Sequence, residues 1–468
     1  MPIRRSQGLD ALRGFAILTM VLSGVIPYGT LPHWMYHAQL PPPEHQFNPQ
    51  LPGLTWVDLV FPLFLFALGA AIPMALKKRL ERGQSILSIL WHIAKRTILL
   101  AFFAIFLHHV RPHQMNPQPQ AIDWMLALLG FALMFTLFTR LPDHWDIWIK
   151  RTIRLAGWTG SLLMLSLLNY GDGGGFSLYR SDIIIVVLTN TFFFASLIWL
   201  FTEKRWLTRV GLLGMLLALR LSSQESGWIQ WLWNASPIPW LFKFDYLQYL
   251  FIVVPGTIVG DLLRHEQGNT DNKASAYDQK NKAYHWLIIG LVVLVIIQLV
   301  GLQSRWVWQT FMATIILSSM IWMLWRSIIP RNDHTLATIL AWGIYLLITG
   351  LLLEPFEGGI KKDPSTLSYY FVTAGLSVFL LLIFTIIIDI KGHGKPLHLL
   401  ILNGQNPMIA YVGFANLIWP VLALSGLESL IASITQHPWL GFLRGVIYTL
   451  ILAWIVGLFS RKRLFWRT

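Results

Sequence analysis

The chain has 468 residues, of which 55% are hydrophobic and only 12% charged, with a formal net charge of +14 and no cysteine. A charged share of about half that of a typical soluble domain excludes an ordinary soluble fold. The lack of cysteine excludes disulfides, cysteine nucleophiles and thiolate metal sites.

The apolar residues come in runs. Gly14 to Tyr28, Val57 to Leu76, Ile183 to Phe201, Trp286 to Leu302 and Leu376 to Ile388 each approach the roughly 20 residues that cross a hydrocarbon core. Strand alternation of the membrane-barrel kind is absent. The expected fold class is therefore all-α, a polytopic transmembrane helical bundle of about 10 to 14 spans. Three shorter runs, Thr97 to Val110, Arg154 to Leu168 and Trp206 to Leu221, are open to reading as tilted spans, re-entrant pieces or interfacial helices.

Basic residues gather at alternate ends of these runs, at Arg4-Arg5, Lys77-Lys78-Arg79 with Arg82, Lys150-Arg151 with Arg154, Lys204-Arg205 with Arg209 and Arg461-Lys462-Arg463 with Arg467. Such asymmetry marks cytoplasmic segments and predicts that both termini lie inside. The charge is then topological, and nucleic acid is not an expected partner; the lipid bilayer is. No small-residue cleavage site follows Tyr28, so the first apolar run is expected to be a retained span. A polar stretch divides the chain into an N-terminal transmembrane part (1–263), a cytoplasmic linker (264–284) and a C-terminal transmembrane part (285–468). No repeat relates the two parts, which disfavours a secondary transporter.

In chain order, the first candidate groups are Asp10 and Arg13, one helical turn apart at the inner end of the first span. They can form an ion pair that pins the helix end, or Arg13 can meet an anionic ligand. His37 lies in the proline-rich outer loop. A histidine in a low-dielectric mouth stays neutral near pH 7 and can act as base or nucleophile, although an exposed loop histidine is the plainer reading. His33 and His45 are nearby alternatives, and no helical histidine pair suggests a metal. In Thr55-Trp-Val-Asp58, the carboxylate has the spacing of a capping box; it can also orient His37 as carboxylates do in catalytic triads. Pro62 and Pro73 then either bend this helix or leave carbonyls free. Two further elements are unusually polar. The outer segment with Glu354, Glu357, Lys361 and Lys362 suits a carbohydrate or is simply a solvated loop. Asn403-Gly-Gln-Asn406-Pro407 is a helix cap or a polar lining at membrane depth.

Asp10-Ala-Leu-Arg13-Gly14, then Tyr36-His37-Ala, then Gly53-Leu-Thr55-Trp-Val-Asp58-Leu-Val-Phe-Pro62 resembles the heparan-alpha-glucosaminide N-acetyltransferase family and its bacterial members. The resemblance continues through Lys362-Asp-Pro-Ser-Thr-Leu-Ser368-Tyr369, Ile388-Asp389-Ile-Lys391-Gly392, Gly404-Gln-Asn406-Pro and the terminal Arg461-Lys-Arg-Leu-Phe-Trp466, with a weaker middle from about Arg111 to Arg264. It implies a transmembrane acyltransferase that takes acetyl from cytoplasmic acetyl-CoA, a co-substrate used without a metal, to the amine of a glucosamine-type glycan end across the membrane. His37 matches the family's active-site histidine, with Asp58 as its partner. Arg13 and Asn406 are candidates for placing the CoA, and His45, Glu357 and Lys362 for contacting the acceptor.

Two departures lie near the acceptor side: the animal enzyme's large lumenal N-terminal domain is not expected here, and the loop from His37 to Thr55 is longer. The alternatives are a transporter or flippase for an envelope glycan intermediate, or an O-acyltransferase acting on an envelope polysaccharide. The bacterial inner membrane is the expected location, and a second copy of the chain is a candidate partner.

Overall fold

Helices start where the sequence supplies a capping side chain. Ser6, Ser85, Asp182 and Thr366 each accept a hydrogen bond from a backbone N–H in the first turn that follows. Each bond satisfies a donor with no partner inside its own helix. The computed structural model describes residues 6–29, 31–142, 144–268, 283–328 and 335–468; the Arg4-Arg5 pair and most of the 264–284 segment lie outside them.

Among the described residues, 12 helices are long and apolar enough to cross a membrane. They are α1 (Gln7–Val25), α2 (Trp56–Glu81), α3 (Ile86–His109), α4 (Ala121–Phe138), α5 (Ile183–Phe201), α6 (Phe244–Arg264), α7 (Tyr284–Gln303), α8 (Val307–Ser327), α9 (Thr335–Leu352), α10 (Leu367–Ile390), α11 (Pro407–Leu424) and α12 (Pro438–Arg461). The chain is an all-helical, multi-pass integral membrane protein. The short run from Thr97 proves to be the second half of α3, whose polar first half had hidden its length. The other two ambiguous runs are also helices, Ile147–Leu167 and Trp206–Ser222. The former carries Lys150, Arg151 and Arg154, and the latter, at 17 residues, is shorter than all 12. Its Arg209 is buried and pairs with Asp261 of α6 at 2.6 Å, with Thr257 at 3.3 Å. A charge at such depth is tolerable only with partners of this kind.

The core is centred on α2, α6 and α10. Leu65, Phe66, Val253, Tyr369 and Leu381 are fully or almost fully removed from the surface. Outer helices instead present apolar side chains, such as Ile296 on α7 and Ile316, Met320 and Met323 on α8. This inside-out arrangement is the one a hydrocarbon solvent permits. Close backbone contact is needed at one crossing. A Cβ on Gly404 would overlap the Asp10 carbonyl, and one on Gly14 the Leu400 carbonyl. Glycine at both positions lets the short helix His398–Gln405 cross α1 and deliver α11 beside it.

The spans alternate between two ends of the bundle, with Ile147–Leu167 joining α4 to α5 and Trp206–Ser222 joining α5 to α6 from one end to the other. At the basic end, Gly8 N–H donates to Asp389 (3.1 Å), Arg140 N–H donates to the Phe465 carbonyl (2.8 Å), and Lys77 pairs with Glu203. The histidine end holds the loop 26–55 and the loop 353–366, joined by Gly53 N–H on the Ile360 carbonyl (2.8 Å). Because the chain has no cysteine, single introduced cysteines report sidedness without background. Cysteines at Gln46, Gln120 and Glu225 are expected to react with an impermeant maleimide from one side of sealed vesicles. Those at Arg82 and Lys462 should react only after the opposite face is opened. Labelling of all five from one side would refute this alternation.

Candidate active site

Pro62 sits inside α2 and has no N–H to offer the carbonyl of Asp58, one turn earlier. That carbonyl instead accepts the Tyr369 hydroxyl at 2.8 Å. A buried carbonyl without a partner is costly at this depth, so the proline and the tyrosine together join α2 to α10 beneath the site.

The Asp58 side chain gathers the loop above it. Its Oδ2 accepts the Thr55 N–H (3.1 Å) and the Ala38 N–H (3.1 Å), and lies 3.0 Å from the Thr55 hydroxyl, which also reaches the Tyr36 carbonyl at 2.7 Å. Its Oδ1 lies 2.7 Å from His37 Nδ1. The carboxylate thus caps α2 and orients the imidazole at once. With a carboxylate as acceptor, Nδ1 is the protonated ring nitrogen and Nε2 keeps its lone pair. The Asp58 side chain is 2% exposed and that of His37 33% exposed, so the anchor is sealed while the reactive ring is reachable.

A cation completes this group. Lys362 Nζ lies 3.3 Å from both His37 ring nitrogens, an equidistance that places it against the ring rather than along one lone pair. Burial holds the Lys362 ammonium below the usual lysine range, an effect that the charges of Asp58 and Asp363 oppose. The loop carrying Lys362 is fixed to the His37 loop by reciprocal bonds between Gln39 and Asp363: Gln39 Nε2 donates to the Asp363 carbonyl (2.5 Å) and Asp363 N–H donates to Gln39 Oε1 (2.9 Å).

The remaining sequence candidates are placed elsewhere. His45 Nε2 lies 3.1 Å from the Gly29 carbonyl, and its ring packs edge-on against Tyr28 and Tyr36, within the loop and without a contact to His37 among those described. Glu357 adopts a left-handed φ of 61°. It is held there by Arg220 at 2.7 Å and by the Leu367 N–H at 2.7 Å, so it braces the start of α10. At the basic end, Arg13 donates to the Gly404 carbonyl (3.2 Å) and lies 3.6 Å from Asp10. Asn406 is fully buried; its Nδ2 donates to the Leu464 carbonyl (2.8 Å) and its Oδ1 accepts the Trp466 N–H (3.1 Å), which ties down the C-terminal strap.

Sequence reading did not single out Arg96 and counted Arg467 only among the basic residues near the C-terminus. Arg96 of α3 lies close enough to Arg467, Arg13 and Arg79 to feel their charge, stacks over Phe192 at 4.6 Å, and leaves its buried Nε unpaired. No local pattern signals this convergence, because the arginines come from four separate segments. Tyr369 was visible as part of a motif, but its partner was not. Between the arginines and the histidine lies a small apolar cavity lined by Ile17, Met20, Phe64, Leu100, Phe103, Leu188, Met408 and Tyr411.

Fold and site together define a multi-pass membrane protein with a carboxylate-anchored histidine at the mouth of a span. The chain belongs to the family described as "Domain of unknown function (DUF5009)", whose profile matches residues 5–263. It is also similar to heparan-alpha-glucosaminide N-acetyltransferase of Homo sapiens, 35% identical over 151 residues that make up 30% of this chain and 20% of that protein. The Mus musculus protein of the same name is 32% identical over 103 residues, 22% of this chain and 14% of that protein. The chain thus spans about a fifth or less of the length of these relatives.

The Pro62–Asp58–Tyr369 arrangement predicts a non-additive pair. Tyr369→Phe strands a buried carbonyl and should cost about 1–3 kcal/mol of stability. Pro62→Ala supplies the missing helical N–H, so the double variant should recover part of that loss. Unfolding in detergent measures both; strict additivity would show that the carbonyl is satisfied in another way.

Proposed function

We propose that this protein is a transmembrane N-acetyltransferase. It moves an acetyl group from cytoplasmic acetyl-CoA to the amine of an amino sugar, of glucosamine type at a glycan end, on the opposite side of a bacterial inner membrane. The observation that carries this reading is the Asp58–His37 pair, which leaves Nε2 with a free lone pair on a reachable ring. The names of the similar human and mouse proteins supply the acyl group and the acceptor class. The asymmetry of basic residues orients the basic end, both termini and the 264–284 segment to the cytoplasm, with two transmembrane parts on either side of that segment.

In this reading Arg13, Arg96 and Arg467 meet the phosphates of CoA at the basic end. Arg96 Nε, buried and without a partner, is the donor that an anion would satisfy. Arg13 lies about 18 Å below the far end of α1, at roughly 1.5 Å of rise per residue. A small apolar cavity at Ile17 and Met20 falls between the two; at about 30 Å³ it would have to widen to pass an acyl-bearing arm. A thioester is already activated, so alignment and exclusion of water are the protein's main contributions. His37 Nε2 then either takes the acetyl group or removes the proton of the attacking amine.

The test uses vesicles of known orientation, acetyl-labelled CoA and free glucosamine on the far side. His37→Ala should lower transfer by at least about a hundredfold, the scale of losing a positioned acid–base group, while CoA remains bound. His45→Ala should change transfer per folded molecule far less, since its ring serves the loop. Arg96→Ala should weaken CoA binding without removing the histidine chemistry. Near-normal transfer by His37→Ala would overturn the proposal.

A further inference from the structure

We propose that Lys362 is a catalytic residue of this site: its ammonium donates to the oxyanion that forms when the acyl carbonyl is attacked. The assignment rests on the acetyl-transfer reading. It starts from one juxtaposition, Nζ at 3.3 Å from His37 Nε2 as well as from Nδ1.

A carbonyl carbon in line for attack lies about 3–3.5 Å from its nucleophile. Its oxygen projects to one side of that line, and a donor resting against the ring is within a small side-chain rotation of it. Asp58, the nearest carboxylate to the ring, is committed to Nδ1 and to Ala38 and Thr55. Lys362 itself is held by its backbone: its carbonyl accepts the Ser365 hydroxyl (2.5 Å), and the neighbouring Asp363 is clasped by Gln39. The carboxylates whose charge acts on the ammonium are Asp58 and Asp363, and the His37 ring lies against it. The loop is therefore rigid where the charge is presented, the condition under which a donor stabilises a transition state without reorganising.

The step balances on groups already named. The Nε2 lone pair forms a bond to the thioester carbon, and the carbonyl π pair moves to oxygen, where Lys362 donates a hydrogen bond. The C=O bond re-forms, the C–S bond breaks, and CoA leaves as a thiolate that takes a proton from water. The acceptor amine then attacks the acetyl-imidazolium through a second oxyanion in the same place. Loss of one amine proton to water yields the amide, and His37 is released neutral. If His37 instead removes the amine proton during direct attack, the oxyanion forms on the same carbon and Lys362 serves it equally.

The test compares Lys362→Met, which keeps length and removes charge, with Lys362→Arg, which keeps charge. Both are measured as full-length protein in vesicles with acetyl-labelled CoA and glucosamine. Loss of an oxyanion donor is expected to lower kcat by about 100- to 1,000-fold, with KM for acetyl-CoA changed little. Lys362→Arg should recover at least about a tenth of the activity, and CoA binding reports that each variant is folded. A pH profile separates this role from one of merely keeping His37 neutral. The oxyanion role lowers the plateau whatever the position of the acid limb. A limb shifted to higher pH beneath an unchanged plateau would overturn the assignment, as would a rise in KM with kcat unchanged. Active wild-type protein with an unaffected Lys362→Met variant would overturn this assignment alone, whereas wild-type protein that transfers no acetyl would overturn the acetyltransferase reading with it.

Discussion

The Asp58 carboxylate is the constraint on which the histidine end depends. It closes the first turn of α2, holds the Ala38 and Thr55 backbone, and fixes the His37 ring through Nδ1. A single buried anion with donors on both oxygens tolerates no loose geometry, because any bond it loses leaves a charge uncompensated in a poorly polarisable setting. The proline-rich loop needs no secondary structure of its own to place His37; it needs this anchor.

The anchor is itself supported from below. Pro62 opens one backbone acceptor in α2, and Tyr369 at the start of α10 fills it. The same stretch of chain carries Lys362 a few residues earlier, so one loop-to-helix junction supplies both a structural brace and the cation beside the imidazole. Rigid packing of α2 against α10 in the centre of the core thereby becomes precision at the site, the usual relation between a scaffold and the groups that react on it.

The basic end is organised differently. Arg13, Arg96 and Arg467 come from α1, α3 and the C-terminal strap, and Asn406 holds that strap by its Leu464 and Trp466 backbone. The charges of Arg13 and Arg467 act on the buried Arg96 guanidinium. The glycine crossing of α1 and His398–Gln405 brings the chain ends close enough for this convergence. Histidine and arginine ends are thus separated by the length of α1.

The sequence by itself determined the all-helical membrane class, because a hydrocarbon solvent leaves long apolar helices almost the only choice. It also anticipated the Thr55–Asp58 cap, which acts over local spacing, and the pairing of Asp58 with His37. It misjudged the reach of α3, where polar residues such as His92, Lys95 and Arg96 interrupt an otherwise apolar helix. Tertiary structure alone decided which distant groups meet. Lys362 against His37 and Tyr369 on the carbonyl freed by Pro62 are contacts between residues far apart in the chain. Glu357 and Asn406 looked like candidate ligand contacts in a linear reading, yet their polar atoms are engaged by Arg220 and by the C-terminal strap. Local patterns encode what a residue offers; only the packed helices determine which partner accepts it.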